Sequence, residues 1–388
     1  MVRRPTLRSL FPGVATLRHY DRRWLRGDLL AGVTVAAYLV PQVLAYATVA
    51  GLPPVAGLWA ILPALAVYAV LGSSRLLSIG PESTTALMTA VVVGPLAAGD
   101  PARYAGLAAA LALVVGGLCL IAWLLRLGFV ADLLSRPILV GYLAGVALIM
   151  IVGQLDKLTG VPVEGESFYA QASSFFAHLT EADVATLVFA AVVLVFLFGV
   201  QRLVPVAPAP LLAVLLATAA VALFGLERHG IQVIGTVPRG LPTVSLPAFE
   251  QLKDLVLPAL GVLLVGYTDN ILTARAFAGR RDGAPGSHEV DANQELVALG
   301  VANVGAGLLH GFPISSSGSR TALASAVGAR TQLYSLTTLA FVVATLLFLG
   351  PLLTHFPTAA LGAIVVYAAV RLVASVASPM AISTYENS

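Results

Sequence analysis

Apolar residues in this chain gather into long runs, and polar residues fall in short stretches between them. Leu107 to Leu125, Val184 to Val200 and Ser335 to Leu349 each pass without a charged side chain. A bilayer core needs roughly 20 such residues in a helix, so repeated near-spanning runs predict many membrane helices and not a single anchor. The alternating short segments of a membrane β-barrel are not seen. Residues 17 to 29 are basic and amphipathic, which suits a membrane surface. A first span follows over about Leu30 to Val49. Twelve helical segments, two of them short, account for the whole pattern.

The two short segments break the spanning rule in the same way. Ser78-Ile-Gly-Pro-Glu82 precedes Ser83, and Gly311-Phe-Pro-Ile-Ser-Ser-Ser-Gly318 precedes Ser319. Pro and Gly interrupt helical hydrogen bonding, so each stretch predicts extended backbone followed by a helix that starts inside the membrane. Residues 83 to 91 read STTALMTAV and residues 319 to 327 read SRTALASAV, identical at six of nine positions. Gly32, Val33 and Tyr38 are echoed by Gly261, Val262 and Tyr267. Both offsets imply one duplication. Ser83 follows a predicted inner connection and Ser319 an outer one, so the second copy is inverted, as in secondary transporters with paired broken helices. The expected division is a basic segment over 1–29, a first repeat over 30–226, a connection over 227–253, a second and incomplete repeat over 254–374 and a tail over 375–388.

Composition agrees with the pattern. Apolar residues make up 58% of the chain and charged residues 11%, too few to cover a water-facing surface. The positive charges sort by side. Arg75, Arg126, Arg202, Arg275, Arg280, Arg281, Arg330 and Arg371 fall on the side expected to be cytoplasmic with the arginine-rich N-terminus. The outer loop from Gly160 to Asp183 has Glu164, Glu166, Glu181 and Asp183 but no Lys or Arg; Lys157 and Arg228 are mild exceptions. The expected setting is therefore the cell inner (plasma) membrane, multi-pass, with the N-terminus inside. The basic residues recur between helices and form no single patch, which argues against nucleic acid. Cys119 stands alone, so no internal disulfide exists. No His-Glu-x-x-His or Gly-x-Ser-x-Gly motif supports an enzyme, and neither a metal site nor a cofactor is expected.

The chemistry concentrates at the breaks. A helix that begins in the membrane leaves its first N–H groups and its positive dipole end free, and two such ends make an anion site out of backbone. The second break adds Ser315, Ser316, Ser317 and Ser319 as hydroxyl donors and Arg320 as a fixed cation with a bidentate fork. Ser83 and Ser319 could equally be N-caps, and Arg320 could snorkel to the surface. Glu82 and Asp269 are ionisable carboxylates at membrane depth and candidate carriers of a coupling ion. Gln42 and Tyr46, one turn apart after Pro41, could line the pocket or join helices. His310 reads as structural.

Several blocks then resemble one known family. Pro54-Val-Ala-Gly-Leu-Trp59 with Leu71-Gly-Ser-Ser-Arg75 is similar to the signature of the sulfate permease family. Val40-Pro-Gln-Val-Leu-Ala-Tyr46, Ser78-Ile-Gly-Pro81, Glu289-Val-Asp-Ala-Asn-Gln-Glu295 and Gly311-Phe-Pro-Ile-Ser315 look like further blocks of it. Ala56 and Trp59 depart from the usual tyrosines. The resemblance implies an all-α integral membrane transporter of the inverted-repeat, seven-plus-seven type, with core and gate domains and two broken half-helices meeting at mid-membrane. It implies secondary transport of a small anion such as sulfate, bicarbonate or a dicarboxylate by an elevator-type step, in a homodimer within the lipid bilayer, with H+ or Na+ coupling. Gln42, Tyr46, Glu82, Ser83, Ser316, Ser317, Ser319 and Arg320 would bind the anion, and Asp269 or Glu82 would carry the coupling ion. Glu82 departs from relatives that are uncharged there. The second repeat is expected to be truncated, lacking two helices and the C-terminal STAS domain. A nucleobase symporter on the same fold and a non-transporting remnant are the alternatives.

Overall fold

The computed structural model describes residues 11–18, 20–132, 145, 147–148, 151–163, 168–204, 209–234, 240–247, 252–278, 290–348 and 355–377. Arg280 and Arg281, Glu164 and Glu166, and the tail beyond Ala377 lie outside them.

In chain order the elements are α1 (Pro12–Arg18), α2 (Leu25–Val49), α3 (Val55–Leu71), β1 (Ile79–Gly80), α4 (Ser83–Ala97), α5 (Pro101–Leu124), α6 (Leu155–Thr159), α7 (Phe168–Ala177), α8 (Val184–Leu203), α9 (Ala209–Phe224), α10 (Leu252–Ala278), α11 (Ala292–Leu308), β2 (Ser315–Ser316), α12 (Gly318–Val327), α13 (Leu333–Phe348) and α14 (Thr358–Ala377). Helix α2 extends into the basic segment, because Asp21 caps the short 3-10 turn that leads into it. Helices α5, α8 and α10, with the stretch Arg22–Val49, are long and apolar enough to cross a membrane. Five shorter apolar helices accompany them, α4 and α13 included. Much of α8 faces outward with valine and leucine, Val195 being 73% exposed, as a lipid-facing helix requires.

Two compact units result, each drawing on both halves of the chain: Met1–Leu133 with Pro238–Leu349, and Leu134–Val237 with Gly350–Ser388. In the second unit α8 packs on α14, α9 and α6. The first unit holds α1 to α5 and α10 to α13, and α11 packs tightly on both α5 and α3. Small residues permit that packing. A Cβ at Gly116 would stand 2.7 Å from the Gly300 carbonyl oxygen, and a Cβ at Gly300 would stand 3.0 Å from the Cys119 Cβ. Helices in lipid associate through such close backbone approach, since apolar burial alone gives no preference over lipid.

The breaks form where Pro and Gly predict them. Strands β1 and β2 pair antiparallel, Ile79 opposite Ser316 and Gly80 opposite Ser315. The Ser317 amide extends the ladder by donating to the Ser78 carbonyl at 2.8 Å. Each strand leads straight into a short helix, α4 or α12.

Candidate functional site

The site grows from how each strand is held. Asn303 on α11 accepts from the Ile314 amide at 2.9 Å and donates to its carbonyl at 3.1 Å, so one side chain replaces a whole rung of ladder ahead of β2. The approach to β1 is held by Gln332, which donates to the carbonyls of Ser74 and Leu77 at 3.1 and 2.9 Å. Thr321 receives the Ser78 amide at 3.0 Å. Extended backbone among apolar helices is tolerated only when its polar groups are paired in this way.

The two helix starts differ in their caps. Glu82 is the N-cap of α4 and makes no side-chain capping bond. Ser317 is the N-cap of α12, and its oxygen accepts from the Arg320 amide at 3.5 Å. Neither Ser83 nor Ser319 is a cap. Ser83 donates instead to Glu82 at 3.2 Å. Ser319 is exposed and shares a hydrogen bond of 3.2 Å with Ser317.

Arg320 ties the breaks together. From the first turn of α12 its side chain reaches the start of α4, where Nη1 donates to the Pro81 carbonyl at 2.9 Å and to Gln42 Oε1 at 3.1 Å. Nε donates to the Ser78 hydroxyl at 3.3 Å. The residue is 0% exposed, so it does not snorkel. Glu82 lies 3.8 Å from Nη1, and among the described residues Nη2 and Glu82 Oε2 have no hydrogen-bond partner. Gly80, at φ 153°, makes room: a Cβ there would fall 2.1 Å from Ile61 Cδ1 and 3.3 Å from Nη2. Gln42 also donates to Tyr46 at 3.1 Å, and Tyr46 donates to Glu82 at 3.5 Å. Thus Gln42, Tyr46, Glu82, Ser83 and Arg320 form one connected network. Asp269 on α10 joins at the other strand, accepting from Ser316 at 2.7 Å.

Glu295 was not among the residues the sequence singled out for a role. It is fully buried and accepts from the Tyr68 hydroxyl (2.9 Å), the Ser73 amide (2.9 Å) and hydroxyl (2.7 Å), and Asn270 (2.7 Å). It therefore fastens the end of α3, the loop toward β1 and the residue beside Asp269. The rule that flagged Asp269, an ionisable group in an apolar helix, would have found it.

The sequence profile of the sulfate permease family matches residues 25–386. The chain belongs to the sulfate permease family. A Mycobacterium tuberculosis protein named as a probable sulfate transporter is 57% identical over 373 residues, covering 95% of this chain. The chain spans 66% of that relative's length. The structure of murine Solute Carrier 26 family member A9, an anion transporter in its inward-facing state, superposes with a TM-score of 0.89 at 25% identity, covering 100% of this chain and 68% of that one. The transmembrane domain of the cyanobacterial bicarbonate transporter BicA gives a TM-score of 0.80 at 24% identity, covering 91% of this chain and 90% of that domain. The fold of this sulfate permease family member is the inverted-repeat fold with core and gate that these membrane proteins have.

Proposed function

We propose that this chain carries a small anion of the sulfate, bicarbonate or dicarboxylate class across the membrane by an elevator-type alternating-access step. The observation that supports it is Arg320 reaching from the start of one broken helix to the start of the other. Two helix ends offer about half a unit of positive charge each, and an anion brings a full unit or more. Arg320 makes up the difference where salt screens weakly. Gln42, Tyr46, Ser83, Ser316, Ser317 and Ser319 supply hydroxyl and amide donors around it. The Mycobacterium tuberculosis relative's name favours sulfate among the anions.

Glu82 sets the coupling. Ionised, it competes with the anion for Arg320 at 3.8 Å. Protonated, it leaves the guanidinium to the substrate, so one proton accompanies one anion. Asp269, held by Ser316, is the second coupling candidate and the place for Na+. We place the protein in the plasma membrane as a homodimer with its N-terminus in the cytoplasm. The Glu82–Arg320 pair also favours a second reading, since it lowers the net charge of the site: a neutral nucleobase taken up with a proton.

Flux into liposomes containing the purified chain separates the two. Radiolabelled sulfate, bicarbonate, a dicarboxylate and uracil are offered with and without an inward proton gradient. Anion uptake accelerated by the gradient is expected; uracil uptake without any anion flux would replace the first reading with the second.

A further inference from the structure

Outside the anion network, the first unit has a cavity of about 370 Å³ bounded by α1, the 3-10 turn before α2 and the loop after α3. Its lining includes Thr16, Trp24, Ser73, Ser74, Arg75 and Gln332. We propose that it binds the phosphate of an anionic phospholipid headgroup.

The hydrogen-bond inventory of the lining decides the sign of the ligand. Gln332 is saturated, its amide donating twice to the loop and its oxygen accepting from Ser335. Thr16 donates to the Pro12 carbonyl and Ser73 to Glu295. The Ser74 oxygen accepts from the Leu76 and Leu77 amides, which leaves its proton to give. Among the described residues the half-buried Arg75 has no hydrogen-bond or ion-pair partner, and neither does the Trp24 indole N–H. The carboxylates of the neighbouring walls are occupied: Asp28 by Tyr20, Thr331 and the Arg330 amide, Glu295 by the donors described above. What the cavity offers is a guanidinium, a hydroxyl and an indole N–H, all donors, which fits the acceptor oxygens of a phosphate.

Its location selects a lipid over free phosphate. The membrane-crossing stretch begins at Arg22, so the cavity lies at the end of a span, at headgroup depth. Phe11, Leu25, Leu29 and Leu30 are exposed nearby in sequence and offer apolar surface for acyl chains. Arg18, Arg22, Arg23 and Arg26 are exposed among them and would concentrate anionic lipid around the opening.

The test uses Trp24 as reporter in the full chain carrying Trp59→Phe and Trp123→Phe, reconstituted in phosphatidylcholine vesicles. Brominated phosphatidylglycerol is expected to quench Trp24 well above brominated phosphatidylcholine at the same mole fraction. Arg75→Gln should reduce the apparent preference by roughly tenfold or more, the loss of a charge-assisted hydrogen bond to the phosphate. Arg75→Lys should fall between, and Arg22→Gln, an exposed change of equal charge, should leave most of it. Equal quenching by the two lipids would overturn the proposal. So would equal losses in Arg75→Gln and Arg22→Gln, which mean general surface attraction. Millimolar inorganic phosphate abolishing the preference would assign the cavity to free phosphate, and a preference appearing only after deletion of residues 1–10 would assign it to the chain itself.

Discussion

The two broken segments descend from one pattern, yet each has its own chemistry. Ser83 and Ser319 stand at equivalent places in the repeat, and the same offset sets Glu82 against Gly318 and Thr84 against Arg320. The first segment thus holds an acid and the second a base, and they meet at 3.8 Å. The caps follow the charges. Ser317 closes α12 with its side chain, whereas Glu82 leaves the start of α4 uncapped and points its carboxylate at Arg320. Duplication supplies two helix starts, and two differences between the copies turn a symmetric pair of dipoles into a charged pair. The strand supports differ as well: the second is clamped by one residue, Asn303, and the first by a set that includes Gln332 and Thr321.

The largest effect is expected at Glu295, which anchors the first segment's approach. Glu295→Ala would take the acceptor from Tyr68, Ser73 and Asn270, and the loss at the fully buried Tyr68 and Asn270 should cost about 1–3 kcal/mol each. Thermal unfolding in detergent should show a larger drop in apparent Tm for this variant than for any change at Glu82. A drop no larger than that of Glu82→Gln would remove the anchor from the comparison.

Next comes the base itself. Arg320→Ala should weaken anion binding on the order of a hundredfold, the loss of a charge-assisted bidentate contact. Arg320→Lys should bind with intermediate affinity, because it keeps charge and loses the fork. Titration calorimetry with sulfate measures both, and equal affinities in all three proteins would place the anion away from the breaks.

These effects also mark how far the sequence could be read. The breaks were legible because Pro81, Gly80 and Pro313 have backbone consequences that need no partner. The repeat was legible from six identities in nine positions. That Arg320 would meet Gln42 and Pro81 was not, since those partners lie 278 and 239 positions away and only the fold brings them within 3.1 Å. Ser83 and Ser319 read equally well as caps until the strands fixed the helix starts one or two residues earlier. Glu295 stood in a quoted motif without a role because its partners on α3 and the following loop are more than 200 positions distant.

A smaller change tests the clamp. Asn303→Ala should free both polar groups of Ile314 and cost about 2 kcal/mol. The loss should show as faster hydrogen exchange at residues 313–317, with residues 78–82 little affected. Equal acceleration in both segments would mean that the strands are held by each other and not by their separate supports.

The smallest effect serves as the ordinary counterpart of α4. Asp183 caps α8 conventionally, accepting from the Thr186 hydroxyl and from the amides of Thr186 and Ala185. The Thr186 hydroxyl first, then the backbone amides, hold its carboxyl below the usual value. A depressed acid adds stability above its unfolded-state value and loses it as pH falls through the folded-state value. Asp183→Ala should cost about 1 kcal/mol near neutral pH and less in acid, where the protonated carboxyl still caps as a neutral acceptor. An equal cost at both extremes would deny the cap its charge.

The central claim is that Glu82 and the anion compete for Arg320. Sulfate affinity of the purified chain, measured across a pH series for the unchanged protein and for Glu82→Gln, tests it most directly. The unchanged protein should bind more weakly as pH rises, while Glu82→Gln should bind tightly with no such decline. Parallel pH profiles for the two would contradict the account.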